Sequence, residues 1–499
     1  MTSLGRTLVR GSAWMIGFRL LDRSVGLISV LVLARVLTPA DFGLVAMATA
    51  MIAFVELFGW LGLDVALIQR PGATREHFDS AWTMNVLIGA SVALVLLACG
   101  WPLAWFYDDP RLIALVAFLS LGPLVQGCEN IGVVAFRKEL SFDREFRFLL
   151  SKRLLSVAIT IALALWLRSY WALAIGMVCG RLGGVAISYA LHPFRPRWSL
   201  SRAGDLLHFS LWLVAQNMFV FLKDRAPDFI IGKLAGAHAL GTWSLANELS
   251  NLVGTELIMP MNRAALPAYS KLAEDRAALG AAYLAAAGLV ALLVMPLIVG
   301  LAAVAPMVVA VLLGPQWYEV GPLISLLAFH GLVDVFLRTA ASAVLASGRP
   351  VVYVKIYALQ VCVLLPLSFW LTRTYGVQGA VVATIGTALG LLPLNATLVA
   401  RALGVSARQL AATVWRPLLA AAVMYAVTVL AQPSIDAATL TAGRSLMLLA
   451  VYVPLGAATY IAVELSAWLL CGRPSGAETM LVGQAAVYWR RMTGRAEVS

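Results

Sequence analysis

The sequence predicts an all-α polytopic membrane protein of about 14 transmembrane helices: two six-helix lobes related by pseudo-two-fold symmetry plus two C-terminal helices. Three observations carry that prediction. Hydrophobic residues make up 61% of the 499 residues and charged residues only 12%, against roughly 45–50% and about 25% in soluble domains. Nearly the whole length divides into continuous apolar runs of about 20 residues, the length that crosses about 30 Å of hydrocarbon. The runs do not alternate, as membrane strands would. Finally, Leu33-Ala-Arg-Val-Leu-Thr-Pro-Ala-Asp-Phe-Gly43 recurs 198 positions later as Ile231-Gly-Lys-Leu-Ala-Gly-Ala-His-Ala-Leu-Gly241. Arg35 then meets Lys233, Gly43 meets Gly241 and Ala48 meets Ala246. A repeat of membrane length implies two similar lobes, the common plan of transporters.

In chain order the spans read 14–34, 43–66, 80–104, 112–136, 148–167 and 171–191 in an N-lobe of residues 1–200. Spans 209–231, 243–262, 281–303, 320–345, 351–372 and 378–399 form a C-lobe of residues 201–402. Spans 416–432 and 444–470 are appended within residues 403–470, and 471–499 is a tail. Arg137 after the fourth span matches Arg349 after the tenth, which sets six spans per lobe.

With both termini inside, about 21 basic residues fall in the even-numbered connections and tails, against about 6 in the odd-numbered ones. The net charge of +12 therefore marks cytoplasmic loops and not nucleic-acid binding. Trp14, Trp101, Trp105, Trp171, Trp243, Trp317 and Trp415 sit at span ends, as an interfacial belt requires. Arg6 and Arg10 precede an apolar run in the manner of a secretory signal, but Arg19, Asp22 and Arg23 interrupt it, so it reads as an uncleaved first span.

Connections are short. The longest cytoplasmic ones are 192–208 and 263–280. The segment 137–147 mixes charge with phenylalanine, which suits a short helix in the inner interface, and the tail 473–499 suits another. Prolines 123, 227, 260, 296, 366, 393 and 454 predict kinks. The five cysteines lack paired spacing and read as small apolar residues, with no metal site.

Charges inside spans carry the functional information, because one at the bilayer centre costs roughly 3 kcal/mol. They concentrate in four spans: Arg19, Asp22 and Arg23; Glu56 and Asp64; Lys223, Asp224, Arg225 and Asp228; Glu248 and Glu256. These are the equivalent pairs one, two, seven and eight, so they are expected to line a shared aqueous cavity. Arg19, Arg23, Lys223 and Arg225 would suit a phosphate or pyrophosphate group. Asp22, Glu56, Asp228 and Glu248 would accept sugar hydroxyls or a coupling cation. Local pairs such as Asp22–Arg19 or Asp224–Arg225 are the structural alternative. In span ten His330, Asp334 and Arg338 share one helix face, as a coupling or gating stripe or as an internal ion pair.

At these residues the chain resembles a known family. Leu33-Ala-Arg-Val-Leu-Thr-Pro-Ala-Asp-Phe-Gly43 is similar to the "ARxLgPxdfG" element of polysaccharide-repeat-unit flippases of the Wzx type. Asp228-Phe-Ile-Ile-Gly-Lys-Leu-Ala-Gly-Ala237 with Leu240-Gly-Thr-Trp-Ser-Leu-Ala246, Leu313-Gly-Pro-Gln-Trp317 and Ala346-Ser-Gly-Arg349 fall where that family has comparable segments, Trp243 replacing its commoner Tyr. The resemblance covers the chain to about residue 400. It implies the multidrug/oligosaccharidyl-lipid/polysaccharide exporter superfamily and the lipopolysaccharide and exopolysaccharide branch. It further implies a polyprenyl-pyrophosphate-linked oligosaccharide as substrate, the lipid bilayer of the bacterial inner membrane as the setting, and a polysaccharide polymerase and chain-length regulator as candidate partners. No nucleotide motif or cofactor is expected, and no catalytic residue. The rivals are a peptidoglycan-precursor flippase, a drug/cation antiporter and, from another class, a membrane polymerase, ligase or lipid-linked glycosyltransferase. The last would need catalytic groups on outer loops, where Asp108-Asp109 is the only acidic pair and reads better as a capping turn.

Overall fold

A computed structural model describes residues 3–59, 62–70, 72–204, 211–348, 351–432, 440–474 and 476–479. The described residues are predominantly helical, with no strand among them and a non-helical stretch at 192–200. The expected tail helix lies outside them beyond residue 479, as does Arg349.

The chain divides into two compact units, Met1–Gly241 and Thr242–Ser499. The first holds α1 (Ser3–Val36), α2 (Pro39–Gly59), α3 (Leu63–Gln69), α4 (Arg75–Tyr107), α5 (Arg111–Leu119), α6 (Leu121–Gly127), α7 (Val134–Lys138), α8 (Phe142–Leu167) and α9 (Trp171–Leu191). Helix α10 (Leu211–Lys271) begins in this unit and continues into the next. The second unit adds α11 (Arg276–Leu312), α12 (Val320–Ala346), α13 (Val351–Gly390), α14 (Leu392–Leu403), α15 (Ala407–Ala431) and α16 (Ala442–Leu470).

Among the described residues nine helices are long and apolar enough to cross a membrane. They become ten if Arg111–Gly127 and Ile131–Lys138, bent by 59°, form one span. The difference from 14 has identifiable sources. Expected spans one, seven and eight lie in α1 and α10, which hold most of the intramembrane charge, and expected span twelve continues from eleven within α13.

Several boundaries move. The segment 263–280 is not a loop, because α10 runs to Lys271 and α11 starts at Arg276, capped by Asp275 accepting from the Ala277 and Ala278 amides. No separate interfacial helix occupies 137–147; α7 ends at Lys138, Leu140 turns the chain with φ 57°, and Phe142 already belongs to α8. Pro227 leaves its turn helical. The break in α10 is at Gly236 (φ 82°, ψ −179°) and that in α13 at Gly376 (φ 59°, ψ −143°), conformations open to glycine and costly to other residues.

Close backbone approach holds the first unit together. Along α9, Gly176, Gly180 and Gly184 recur every four residues and face Thr160, Ser156 and Lys152 of α8. This is the small-residue stripe that lets membrane helices meet without a hydrophobic drive between them. Gly89 of α4 lies against the Pro123 carbonyl of α6, and Gly127 of α6 against the Asn85 carbonyl of α4. In the second unit the long α11 is the centre, with Val290, Val294, Ile298 and Ala302 buried against Ile258, Ala328 and Val335. Tyr460 of α16 donates to its Leu292 carbonyl at 3.0 Å.

The two copies of the repeat touch each other inside the first unit. A Cβ on Gly43 would strike the Ala237 carbonyl and stand 2.9 Å from the Gly241 nitrogen. One on Gly241 would strike the Pro39 carbonyl and stand 3.0 Å from the Gly43 nitrogen. Pro39 and Ala237 are themselves repeat equivalents, so the contact is reciprocal, the signature of a local two-fold axis.

Candidate functional site

Three cations of the first unit reach their partners across glycines. Arg153 of α8 lies over Gly26 of α1, where a Cβ would stand 2.6 Å from its guanidinium, and it pairs with Asp22 at 3.1 Å. Lys152, its neighbour on α8, lies over Gly184, 2.7 Å from the position of a Cβ there, and reaches Glu129 at 2.5 Å. Arg181 of α9 lies over Gly122, 2.8 Å from a Cβ there, and reaches Glu56 of α2 at 3.1 Å. A side chain on any of these glycines would displace the cation above it.

A cavity of about 400 Å³ opens within this unit between α2, α4, α6 and α8. Glu56, Glu129 and Lys152 line it, with the amides Asn85 and Gln126 and the apolar Ile88 and Val92. Arg137 completes its rim, bound to Glu145 and 3.7 Å from Asp64. The break in the fourth span lies on its wall: after α6 the chain leaves the helix at Cys128–Asn130 and restarts at Ile131. Asn130 stabilises the restart, its side chain accepting from the Gly132 amide at 2.9 Å and donating to the Phe194 carbonyl at 2.8 Å. Non-helical backbone at membrane depth is tolerated where protein buries it or where it lines a cavity.

The expected site residues distribute as follows. Arg19 and Arg23 lie one turn apart on α1, both half-buried. Asp22 is paired by Arg153 instead of by either of them. Lys223 pairs with Asp224 at 2.9 Å and Arg225 with Asp228 at 3.3 Å, replacing the Asp224–Arg225 pair that adjacency suggested. The two cations diverge, with the Lys223 side chain 11% exposed and that of Arg225 56%. Glu56 faces the cavity, and Glu248 is exposed in the second unit. There Asp334 and Arg338 form an ion pair one turn apart, and Asn262 donates to the Arg338 carbonyl at 3.0 Å. They line, with Ser250 and Asn251, a void of about 10 Å³, water-sized at most. His330 is half-buried on the same helix. Sequence reasoning missed Lys152, Arg153 and the partner of Arg181. The i, i+4, i+8 glycines of α9 were the available signal that α8 would pack there.

Asp108 and Asp109 are both engaged in ion pairs. Asp108 ends α4 with φ 56° and holds Lys233 at 2.7 Å. Asp109 accepts from the Arg111 backbone amide at 3.0 Å and binds its guanidinium at 2.6 Å. Those hydrogen bonds hold the Asp109 carboxyl below the usual carboxylate range.

The family model described as polysaccharide biosynthesis protein matches residues 32–322. The chain belongs to that family. It is 25% identical to the succinoglycan biosynthesis transport protein ExoT of Rhizobium meliloti, over 65% of this chain and 66% of that one. It is 23% identical to the lipopolysaccharide biosynthesis protein WzxC of Escherichia coli, over 83% and 85%. It is 21% identical to the teichuronic acid biosynthesis protein TuaB of Bacillus subtilis, over 70% and 73%. Its fold is similar to that of the lipid II flippase MurJ in an inward closed conformation (TM-score 0.72, 12% identity, 93% of this chain and 100% of that one). It is also similar to an inward-facing multidrug resistance transporter of the MATE family (TM-score 0.59, 15% identity, 77% and 96%). The chain is thus a multi-pass membrane protein of polysaccharide biosynthesis with a transporter fold.

Proposed function

We propose that this protein is a flippase that moves a polyprenyl-pyrophosphate-linked oligosaccharide repeat unit across the bacterial inner membrane by alternating access, for exopolysaccharide or lipopolysaccharide synthesis. The observation that carries the reading is the family match over residues 32–322, and its relatives' names, which include a biosynthesis transport protein, support it. On this reading both termini are cytoplasmic, residues 1–200 and 201–402 act as the two six-helix lobes, and 403–470 is an appendage. The protein works beside a polymerase and a chain-length regulator and catalyses no covalent step.

Arg19, Arg23, Lys223 and Arg225 are the pyrophosphate clamp of this proposal. Arginine suits the role because its planar fork binds two phosphate oxygens at once and it cannot lose its charge. Placed four residues apart on α1, Arg19 and Arg23 can grip one anion together. Of the second pair, the exposures favour Arg225 as the cation free to meet solvent and Lys223 as the one held in the protein. Asp228 holds Arg225 and would release it when a more highly charged anion arrives. His330, Asp334 and Arg338 belong to the proposal as a gating stripe on α12. The test is polysaccharide production in a null strain expressing Arg19→Ala, Arg23→Ala or both, with membrane protein level followed in parallel. Each change should cost about ten- to a hundredfold in affinity through loss of one charge-assisted contact. Normal polysaccharide from the double variant at normal protein level would remove the clamp.

A further inference from the structure

The cavity inside the first unit lies apart from the proposed clamp, and its chemistry points to a different part of the substrate. Carboxylates outnumber cations around it: Glu56, Asp64, Glu129 and Glu145 against Arg137, Lys152 and Arg181. An excess of negative charge disfavours a phosphate group. No cluster of three or more His, Cys, Asp or Glu side chains able to hold a metal exists among the described residues. The ion pairs and the amides Asn85 and Gln126 make the wall too polar for an apolar drug or lipid tail. A neutral polyhydroxyl ligand fits all these restrictions. Each hydroxyl donates to a carboxylate and accepts from an ammonium, guanidinium or amide. Carboxylates already fixed by a cation keep spare lone pairs for that purpose. The Ile88 and Val92 side offers an apolar face to a ring. The volume of about 400 Å³ falls in the range of roughly 300–1,000 Å³ typical of small-ligand clefts.

A second observation bears on the same place. The helix pair Arg111–Gly127 and Ile131–Lys138 bends by 59° at Cys128–Asn130 on the cavity wall, and interrupted spans mark ligand sites in transporters. The cavity is also wired to the clamp helix. Lys152 and Arg153 are adjacent on α8; the first holds Glu129 at the cavity and the second holds Asp22 between Arg19 and Arg23. In a lipid-linked oligosaccharide the first sugar is bonded directly to the pyrophosphate, so the two recognition elements must be near neighbours.

We infer that this cavity, built on Glu129, Lys152, Asn85 and Gln126, is a sugar subsite that binds a hydroxyl-rich ring of the substrate head group, separately from the pyrophosphate clamp. The inference rests on the flippase reading, and its test separates the two. Full-length protein in detergent is titrated with undecaprenyl pyrophosphate and with the same lipid carrying glucose, galactose or N-acetylglucosamine, binding being read by native mass spectrometry. The wild type should bind at least one sugar-bearing lipid about tenfold more tightly than the bare lipid, the worth of one or two net hydrogen bonds. Asn85→Ala with Gln126→Ala, and independently Glu129→Gln, should abolish that gain and leave binding of the bare lipid unchanged. Arg19→Ala with Arg23→Ala should weaken both lipids equally. Equal binding of every sugar-bearing lipid and the bare lipid by the wild type overturns the subsite while leaving the flippase reading intact. A sugar gain that survives in the cavity variants, which bind bare lipid normally and are therefore folded, also overturns it. Bare lipid that ignores Arg19 and Arg23 refutes the clamp instead.

Discussion

The two copies of the repeat build one turn with two chemistries. In the first copy the chain leaves α1 at Val36 and starts α2 at Pro39. Thr38 stands before that start and Asp41 closes a reciprocal cap: the Asp41 carboxylate accepts from the Thr38 amide at 3.0 Å and its hydroxyl at 2.6 Å, and the Asp41 amide donates back at 3.3 Å. Proline at the first helical position completes this start. The other Asp41 oxygen accepts from the Tyr170 amide at 3.1 Å, so the cap also ties down the turn between α8 and α9. In the second copy Gly236 stands where Thr38 does, and Ala239 where Asp41 does. No such box can form there; the direction of the chain changes through the φ of 82° at glycine, with helix on both sides. One copy turns by side-chain hydrogen bonds, the other by backbone freedom. The outcome is equivalent enough for Gly43 and Gly241 to meet reciprocally.

The same substitution of means recurs. Left-handed turns fall at Asp108, Leu140 and Arg168 in the first half and at Gly314, Gly348 and Gly376 in the second, 206 to 208 residues later. The second half uses glycine wherever the first uses a side chain. What persists through the divergence is backbone geometry, which explains why the repeat is legible mainly at Gly43, Gly241 and the basic residues Arg35 and Lys233.

The largest effect of substitution is expected at the shared contact. Gly43→Val and Gly241→Val each force a side chain onto a backbone carbonyl that cannot move alone, a cost of about 3 kcal/mol or more. Each should lower the thermal midpoint in detergent strongly and similarly; tolerance of one but not the other would show the contact is not reciprocal. Next comes Gly236→Ala, which has open space for its Cβ but an unfavourable backbone, at roughly 1–3 kcal/mol. Because nothing lies within 4 Å of a Cβ there, a fall in midpoint for Gly236→Ala assigns the cost to φ and not to packing. Smallest is Thr38→Ala, expected to lose about 1 kcal/mol of capping. If Thr38→Ala costs as much as Gly236→Ala, the two turns are energetically closer than their chemistry implies.

Much of this was legible in the linear sequence, for physical reasons. Membrane length and apolarity are additive properties of a segment, so most helix positions follow from composition. The basic residues mark connections because charge is excluded from hydrocarbon. The breaks were harder. Proline announces a lost hydrogen bond, yet α10 stays regular at Pro227 and breaks at Gly236, where only the backbone torsion differs. Ion-pair partners were harder still. Asp22 has cations three residues before it and one after it, and it chooses Arg153 from α8 because Gly26 leaves room for that guanidinium. Such a choice depends on which helices touch, and that depends on glycines whose role is visible only once both helices are placed. The cavity between α2, α4, α6 and α8 was beyond reach for the same reason: its residues come from separate segments, and Glu56, Asp64 and Glu129 stood out in the sequence only as unconnected charges.

On the proposed function, this chain carries a lipid-linked sugar across a bilayer with cations of α1 gripping the pyrophosphate. The most direct measurement is made in liposomes holding purified protein and undecaprenyl-pyrophosphate-linked sugar, with head groups in the outer leaflet followed by a membrane-impermeant periodate reaction. The wild type should move the lipid out of reach of the reagent, and Arg19→Ala with Arg23→Ala should slow that movement at least about tenfold. No movement by the wild type would refute the transport role, and equal movement by the double variant would refute the clamp.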